Sequence, residues 1–155
     1  MLIWRCSLHA PLDGEGGMHA SGRWNTIGQR ITYCGPNPSA ALLEVLAHLK
    51  WKVNLLPLDL QFSEIDLPDS VERERLDMDA LPFGWREDES HTQAIGDAWL
   101  ASRRTAVLEV PSVLSPKTYN LLLNPLHPQA SSITIAGPPI VFPLDPRLIA
   151  LPRGI

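Results

Sequence analysis

The chain predicts an α/β (α+β) fold in one domain, with twisted mixed or antiparallel sheets and flanking helices. Three observations predict it. Short runs rich in β-formers alternate with two longer helical stretches. Fifteen prolines among 155 residues interrupt the chain too often for long helices. No internal repeat, low-complexity tract or linker divides it, so residues 1–155 fit a single domain with its own core.

The first strand is Leu2 to Cys6, where Leu2, Trp4 and Cys6 alternate with Ile3 and Arg5. Arg5 sits inside an apolar run. It either points into a pocket or ends the strand facing water. "HAPLDGEGGMHASG" follows, with four glycines, Pro11 and no periodicity, and reads as a loop. The spacing of His9 and His19 fits no standard metal motif, so no metal is expected. Gly22 and Gly28 then bracket Arg23, Trp24 and Asn25. Glycines there allow a tight backbone path that approaches a ligand closely. The planar donor fork of Arg23 suits a phosphate or carboxylate, and a surface salt bridge is the plain alternative.

"RITYC" reads as a short strand, with Ile31 and Tyr33 on one face and Arg30, Thr32 and Cys34 on the other. Asn37-Pro38 opens a helix, Asn as N-cap and Pro in the first turn. The helical pattern runs from Pro38 to about Lys50. Leu42, Val45, Leu46 and Leu49 fall on one side, and Ala40, Ala41, Glu44, Ala47 and His48 on the other. Small neighbours leave room for something to lie on Glu44, which is otherwise an ordinary exposed glutamate.

"KVNLLPLDLQFSEIDLP" reads as strand broken near Pro57, with Leu55, Leu58, Leu60 and Phe62 as core. The charge-rich "DSVERERLDMDALP" predicts a short solvated helix. "FGWRED" is a turn or loop in which Trp85 packs, with contact of Trp85 and Arg86 to a ligand or partner as the alternative. "ESHTQAIGDAWLASRRT" predicts a second helix, capped by Ser90 or Thr92 and carrying Ala94, Ile95, Ala98, Trp99 and Ala101. "AVLEVPSVLS" is a buried strand ending at Pro111, with Ser112 just past it, where loops carry function. "VPSVL" lacks the glycines of a nucleophile elbow, so Ser112 is expected to hydrogen-bond and not to attack. Leu121 to Leu123 form a strand before a turn holding Asn124 and His127, which position backbone or border a pocket. "SSITIAGPPIVFPLDPRL" reads as strand, Gly-Pro turn and strand, closed by Asp145 and Arg147 as a local ion pair or turn.

A net charge of −4 argues against a binder of nucleic-acid backbone. Cys6 and Cys34 are expected as reduced thiols in a cytoplasmic protein. "MLIWRCSLHAPL" is too short for a signal segment, and no apolar run approaches the roughly 20 residues that span a bilayer. A G-x-G-x-x-G opening a helix after a strand is absent, so a dinucleotide is not expected as a redox cofactor.

"GRWNTIGQRITYCGPNPSAALLEVLAHL" resembles the RES domain family, named for an Arg, a Glu and a Ser, here Arg23, Glu44 and Ser112. "VPSVL", "NLLLNPLHP" and "FPLDPRL" resemble the family's later blocks, so the likeness spans "IWRC" to "DPRL". Thr26 is a departure, since many members carry proline after "RWN". The resemblance implies an ADP-ribosyltransferase-like fold with NAD in a cleft between two sheets. It implies a toxin of a bacterial toxin–antitoxin pair that cleaves the nicotinamide–ribose bond and depletes NAD. Arg23, Tyr33, Glu44 and Ser112 would be the catalytic set, with Arg5, Arg23, Tyr33 and Asn124 binding NAD. NAD is then a substrate, joined by inorganic phosphate, water or a protein side chain as acceptor. The implied partners are an Xre-type helix-turn-helix antitoxin covering the site and a second copy of the chain, with no direct nucleic acid and no membrane. Two other classes stay open: a non-catalytic nucleotide- or partner-binding module, and a ribonuclease, which the acidic charge disfavours.

Overall fold

The computed structural model describes residues 1–49 and 59–148. Along the chain run β1 (Leu2–Ser7), α1 (Glu15–His19), β2 (Thr32–Cys34), α2 (Pro38–Leu49), β3 (Asp59–Asp66), β4 (Arg73–Arg75), α3 (Glu89–Ser102), β5 (Val107–Pro111), β6 (Tyr119–Leu123), β7 (Thr134–Ile135) and β8 (Ile140–Pro143). The predicted strand break near Pro57, with Leu55 and Leu58, and the far end of the first long helix at Lys50 lie outside the described residues.

The strands form two four-stranded sheets. In the first, β3 pairs antiparallel with β1 along one edge and with β7 and β8 along the other. The second runs β2-β6-β5-β4, and its β4–β5 pair is parallel. Trp4 and Gly35 exchange backbone hydrogen bonds of 2.9 and 2.7 Å, tying the sheets together where the chain leaves β2 for α2. A Cβ on Gly35 would stand 2.7 Å from the Ala41 nitrogen, so glycine lets α2 close onto this junction.

Packing divides by strand parity. Leu121 and Leu123 of β6 join Ile3, Cys34, Ile65 and Val107 in one core cluster. Leu122 faces the other way, with Leu108, Val110, Trp24, Trp85 and Trp99, beneath α3. Ala41 on α2 packs on Cys6, Leu60 and Phe62. The alanine face of α2 is therefore partly core and not open along its length.

Three expectations change. The charge-rich stretch is β4 followed by a 3-10 turn at Met78–Ala80, not a helix. Pairing with β5 decides it: Arg75 bonds Glu109 at 2.6 Å, and Arg104 chelates Glu74. The glycine loop holds the short helix α1 behind Gly14, whose φ of 69° suits glycine. The cap of α3 is Asp88, whose Oδ1 accepts from the His91 nitrogen at 3.2 Å and from the Ser90 hydroxyl at 2.6 Å. Its buried face is Thr92, Gly96, Trp99 and Leu100, while Ala94, Ala98 and Ala101 face solvent. The expected strand, turn and strand near the end are β7 and β8, and both pair with β3. The Asp145–Arg147 pair forms at 2.7 Å as expected.

Candidate active site

One face of the second sheet builds the site. Residues paired directly across antiparallel strands point the same way. Tyr33 pairs with Leu122, Leu108 with Leu122, and Val110 with Asn120. Period two then puts Tyr33, Leu122, Asn120 and Val110 on a common face, and Ser112 follows Val110 by two. The apolar end of this face is the tryptophan core. The polar end is Asn120 and Ser112.

Glu44 comes to that polar end from α2. Its N-terminus is fixed by Asn37, whose side chain accepts from the Ala40 nitrogen at 2.8 Å. Glu44 is half-buried, and its Oε1 accepts two hydrogen bonds. One comes from the Ser112 hydroxyl at 3.1 Å, the other from the Asn120 amide at 2.6 Å. Among the described residues none falls on Oε2. The Ser112 oxygen accepts in turn from the Leu114 and Ser115 nitrogens at 3.1 and 3.2 Å, so the loop after β5 sets its direction. Beside Ser112 runs a groove of about 230 Å³ lined by Asn37, Ser39, Ala40, Leu43, Ser115 and Thr118.

Tyr33 ties β2 to the arginine loop. Its hydroxyl donates to Asn25 Oδ1 at 2.7 Å and accepts from the Trp24 nitrogen at 3.0 Å. Tyr33 as a whole stays 36% exposed, while its hydroxyl is hydrogen-bonded. Burial pushes the phenol well above its ordinary value, partly opposed by the Trp24 N–H; Asp97 and Glu44 raise it further and Arg23 lowers it.

Arg23 is held from behind. Gly22 and Asn25 bridge each other, a Cβ on Gly22 would meet the Tyr33 hydroxyl at 2.6 Å, and Gln93 donates to the Gly22 carbonyl at 2.9 Å. Thr92 donates to the Arg23 carbonyl at 2.6 Å. A Cβ on Gly96 would stand 1.8 Å from the Trp24 carbonyl oxygen, so only glycine lets α3 touch the loop. Thr26 donates its N–H and its hydroxyl to Asp97 at 3.1 and 2.6 Å, and the first is a bond that proline cannot make. The Arg23 guanidinium touches Glu89 at 3.4 Å through Nη2, while Nη1 is buried with no hydrogen-bond partner among the described residues.

Two expected ligand residues are engaged by the protein itself. Asn124 is 1% exposed; it donates to the Leu100 carbonyl and accepts from the Leu126 nitrogen, both at 3.1 Å. Arg5 donates to the Pro11 carbonyl and, at 3.5 Å, to Ser7. Burial lowers its pKa, against the raising effects of Cys34 and Asp13. Sequence reasoning missed Asn120. Its signal was a polar residue two places from Leu122 in "TYNLLL", at a position whose parity is core.

The RES domain family model matches residues 2–145. The chain belongs to the RES domain family. It is 39% identical over 135 residues to "Toxin Res" of Pseudomonas putida, covering 87% of this chain and 92% of that one. It is also 39% identical over 157 residues to the "Prs ADP-ribosylating toxin" of Sphingobium sp., with 95% and 96% covered. Its fold is similar to the M. tuberculosis MbcT-MbcA toxin–antitoxin complex structure, with a TM-score of 0.68 at 18% identity, covering 96% of this chain and 86% of that one. Arg23, Glu44 and Ser112 all lie within the matched residues.

Proposed function

We propose that this RES domain chain is the toxin of a toxin–antitoxin pair and consumes NAD by breaking the bond between nicotinamide and ribose. The observation that carries the reading is Glu44. Its carboxylate is oriented by two neutral donors, and the Arg23 Nη1 is buried with no hydrogen-bond partner among the described residues. Relatives named as toxins support it.

The electron pair of the breaking bond goes to the cationic ring nitrogen and nicotinamide leaves neutral, so no strong general acid is needed and the positive charge passes to the ribose. The ribose passes through an oxocarbenium-like state, as in glycoside cleavage. Glu44 holds a ribose hydroxyl and stabilises the developing positive charge. Arg23 fixes the pyrophosphate or nearby oxygens. The Tyr33 ring walls the nicotinamide. Ser112 acts through Glu44, because its proton already points there. Arg5 and Asn124 enter as residues that hold loops. In this reading the two sheets form an ADP-ribosyltransferase-like cleft, within one domain over residues 1–155.

The acceptor is phosphate or water, with depletion of NAD as the outcome. Transfer to a protein side chain is a second reading, favoured by the name of the Sphingobium relative. The proposed partners are an Xre-type helix-turn-helix antitoxin that covers the site and a second copy of the chain. Purified protein should consume NAD and release nicotinamide, while folded Arg23→Ala and Glu44→Ala variants should not. Assays with and without phosphate identify the ribosyl product and so the acceptor. Intact NAD under all conditions, with no labelled protein in a lysate given labelled NAD, leaves a binding module instead.

A further inference from the structure

We propose that Asn120 is the positioning residue that sets Glu44 for the reaction, holding its carboxylate without neutralising it. This role rests on the NAD-cleaving reading of the site. Asn120 interrupts a leucine-rich strand at a position whose neighbours on the same face are Leu122 and Val110. It is 8% exposed, and its amide makes the shorter of the two bonds to Glu44, 2.6 Å against 3.1 Å from Ser112. A carboxylate only accepts, so the amide nitrogen must face Glu44 and the amide oxygen must face away. That oxygen is buried and has no hydrogen-bond partner among the described residues. An unpartnered buried acceptor weakens a fold, and leucine would suit this strand better. The amide is explained by what Glu44 needs.

The need is specific. A lysine or arginine at this position would also bond Glu44, but its charge would cancel the field that the oxocarbenium-like state requires. An amide fixes direction and leaves the charge intact. Ser112 and Asn120 come from different elements, the loop after β5 and β6 itself, and both bond Oε1. Two donors on one oxygen fix the rotation of the carboxylate and so the direction of Oε2.

The test is a double-mutant cycle on NAD consumption, with melting curves to verify folding. Asn120→Ala should lower kcat about tenfold or more while KM for NAD stays within about twofold. Asn120→Asp keeps the shape, loses the donor when ionised, and should be as slow; it carries the test if the alanine variant fails to fold. Added to Glu44→Gln, Asn120→Ala should cost less than about twofold, because its effect passes through Glu44. Equal losses in both backgrounds, or a raised KM with kcat preserved, would overturn the role. A second readout needs no turnover: in ¹⁵N NMR, Glu44→Gln should move the Asn120 side-chain amide protons upfield, and unmoved protons would equally overturn it. A wild-type chain that leaves NAD intact while those protons move refutes the NAD reading and not the contact.

Discussion

Tyr33 shows how one residue serves both structure and site. Its hydroxyl bridges Asn25 and the Trp24 nitrogen, so Tyr33→Phe removes two hydrogen bonds and strands a donor. That should cost about 1–3 kcal/mol in urea unfolding. NAD consumption should fall as well, since the Gly22–Asn25 turn that presents Arg23 loosens. The pH dependence has a definite sign. Burial raises the Tyr33 phenol, and it raises the Cys6 and Cys34 thiols to about 11 and about 12. The folded state then keeps protons that the unfolded chain releases above about pH 8.5 for thiols and about 10 for the phenol. Their stabilising contribution is full below those values and is lost as pH climbs. Urea midpoints should therefore fall from about pH 8 to 11, and Tyr33→Phe should flatten only the part above about pH 10. Asn124→Ala should separate fold from chemistry: it leaves the Leu100 carbonyl and Leu126 nitrogen without that partner and should cost about 1–3 kcal/mol. Turnover per folded molecule should hold, and a selective loss of turnover would return Asn124 to the substrate.

At the scale of elements, α3 is the support of the arginine loop. Thr92, Gln93, Gly96 and Asp97 each meet the stretch from Gly22 to Thr26. Asp88→Ala removes the cap and should cost about 1 kcal/mol. Gly96→Ala is the sharper experiment. Its Cβ would meet a backbone oxygen at 1.8 Å, which no rotamer change relieves, so the helix must move off the loop. It should destabilise by about 1–3 kcal/mol and raise KM for NAD through Arg23. A melting curve and a KM measurement test both halves. The sequence pattern identified this helix by its period but misplaced its cap, because Asp88, Ser90 and Thr92 are all competent caps. Thr92 instead donates inward to the Arg23 carbonyl, a partner only the folded chain supplies.

For the whole molecule, the prediction is cellular. Induced expression should arrest growth and lower total NAD, and Glu44→Ala should do neither. Co-expression of a helix-turn-helix partner that covers the site should restore both. Light scattering of purified protein tests the proposed homodimer directly.

The sequence by itself determined most strands, the two long helices and the identity of Arg23, Tyr33, Glu44 and Ser112 as one candidate set. These are written in local pattern: alternation for strands, a 3.6-residue period for helices, and short blocks of fixed residue order. It determined the Asp145–Arg147 pair for the same reason, since two residues of separation need no fold. Only the tertiary structure decided what is joined across long separations. It made Arg73–Arg75 a strand by setting it beside β5, where local charge pattern spoke for a helix. It turned Ser112 and Asn120 onto one oxygen of Glu44, 68 and 76 residues away. It gave the Asn124 side chain its backbone partners, the Leu100 carbonyl and the Leu126 nitrogen. Hydrogen-bond direction depends on which partners the fold brings within 3 Å or so, and no local window of sequence contains that information.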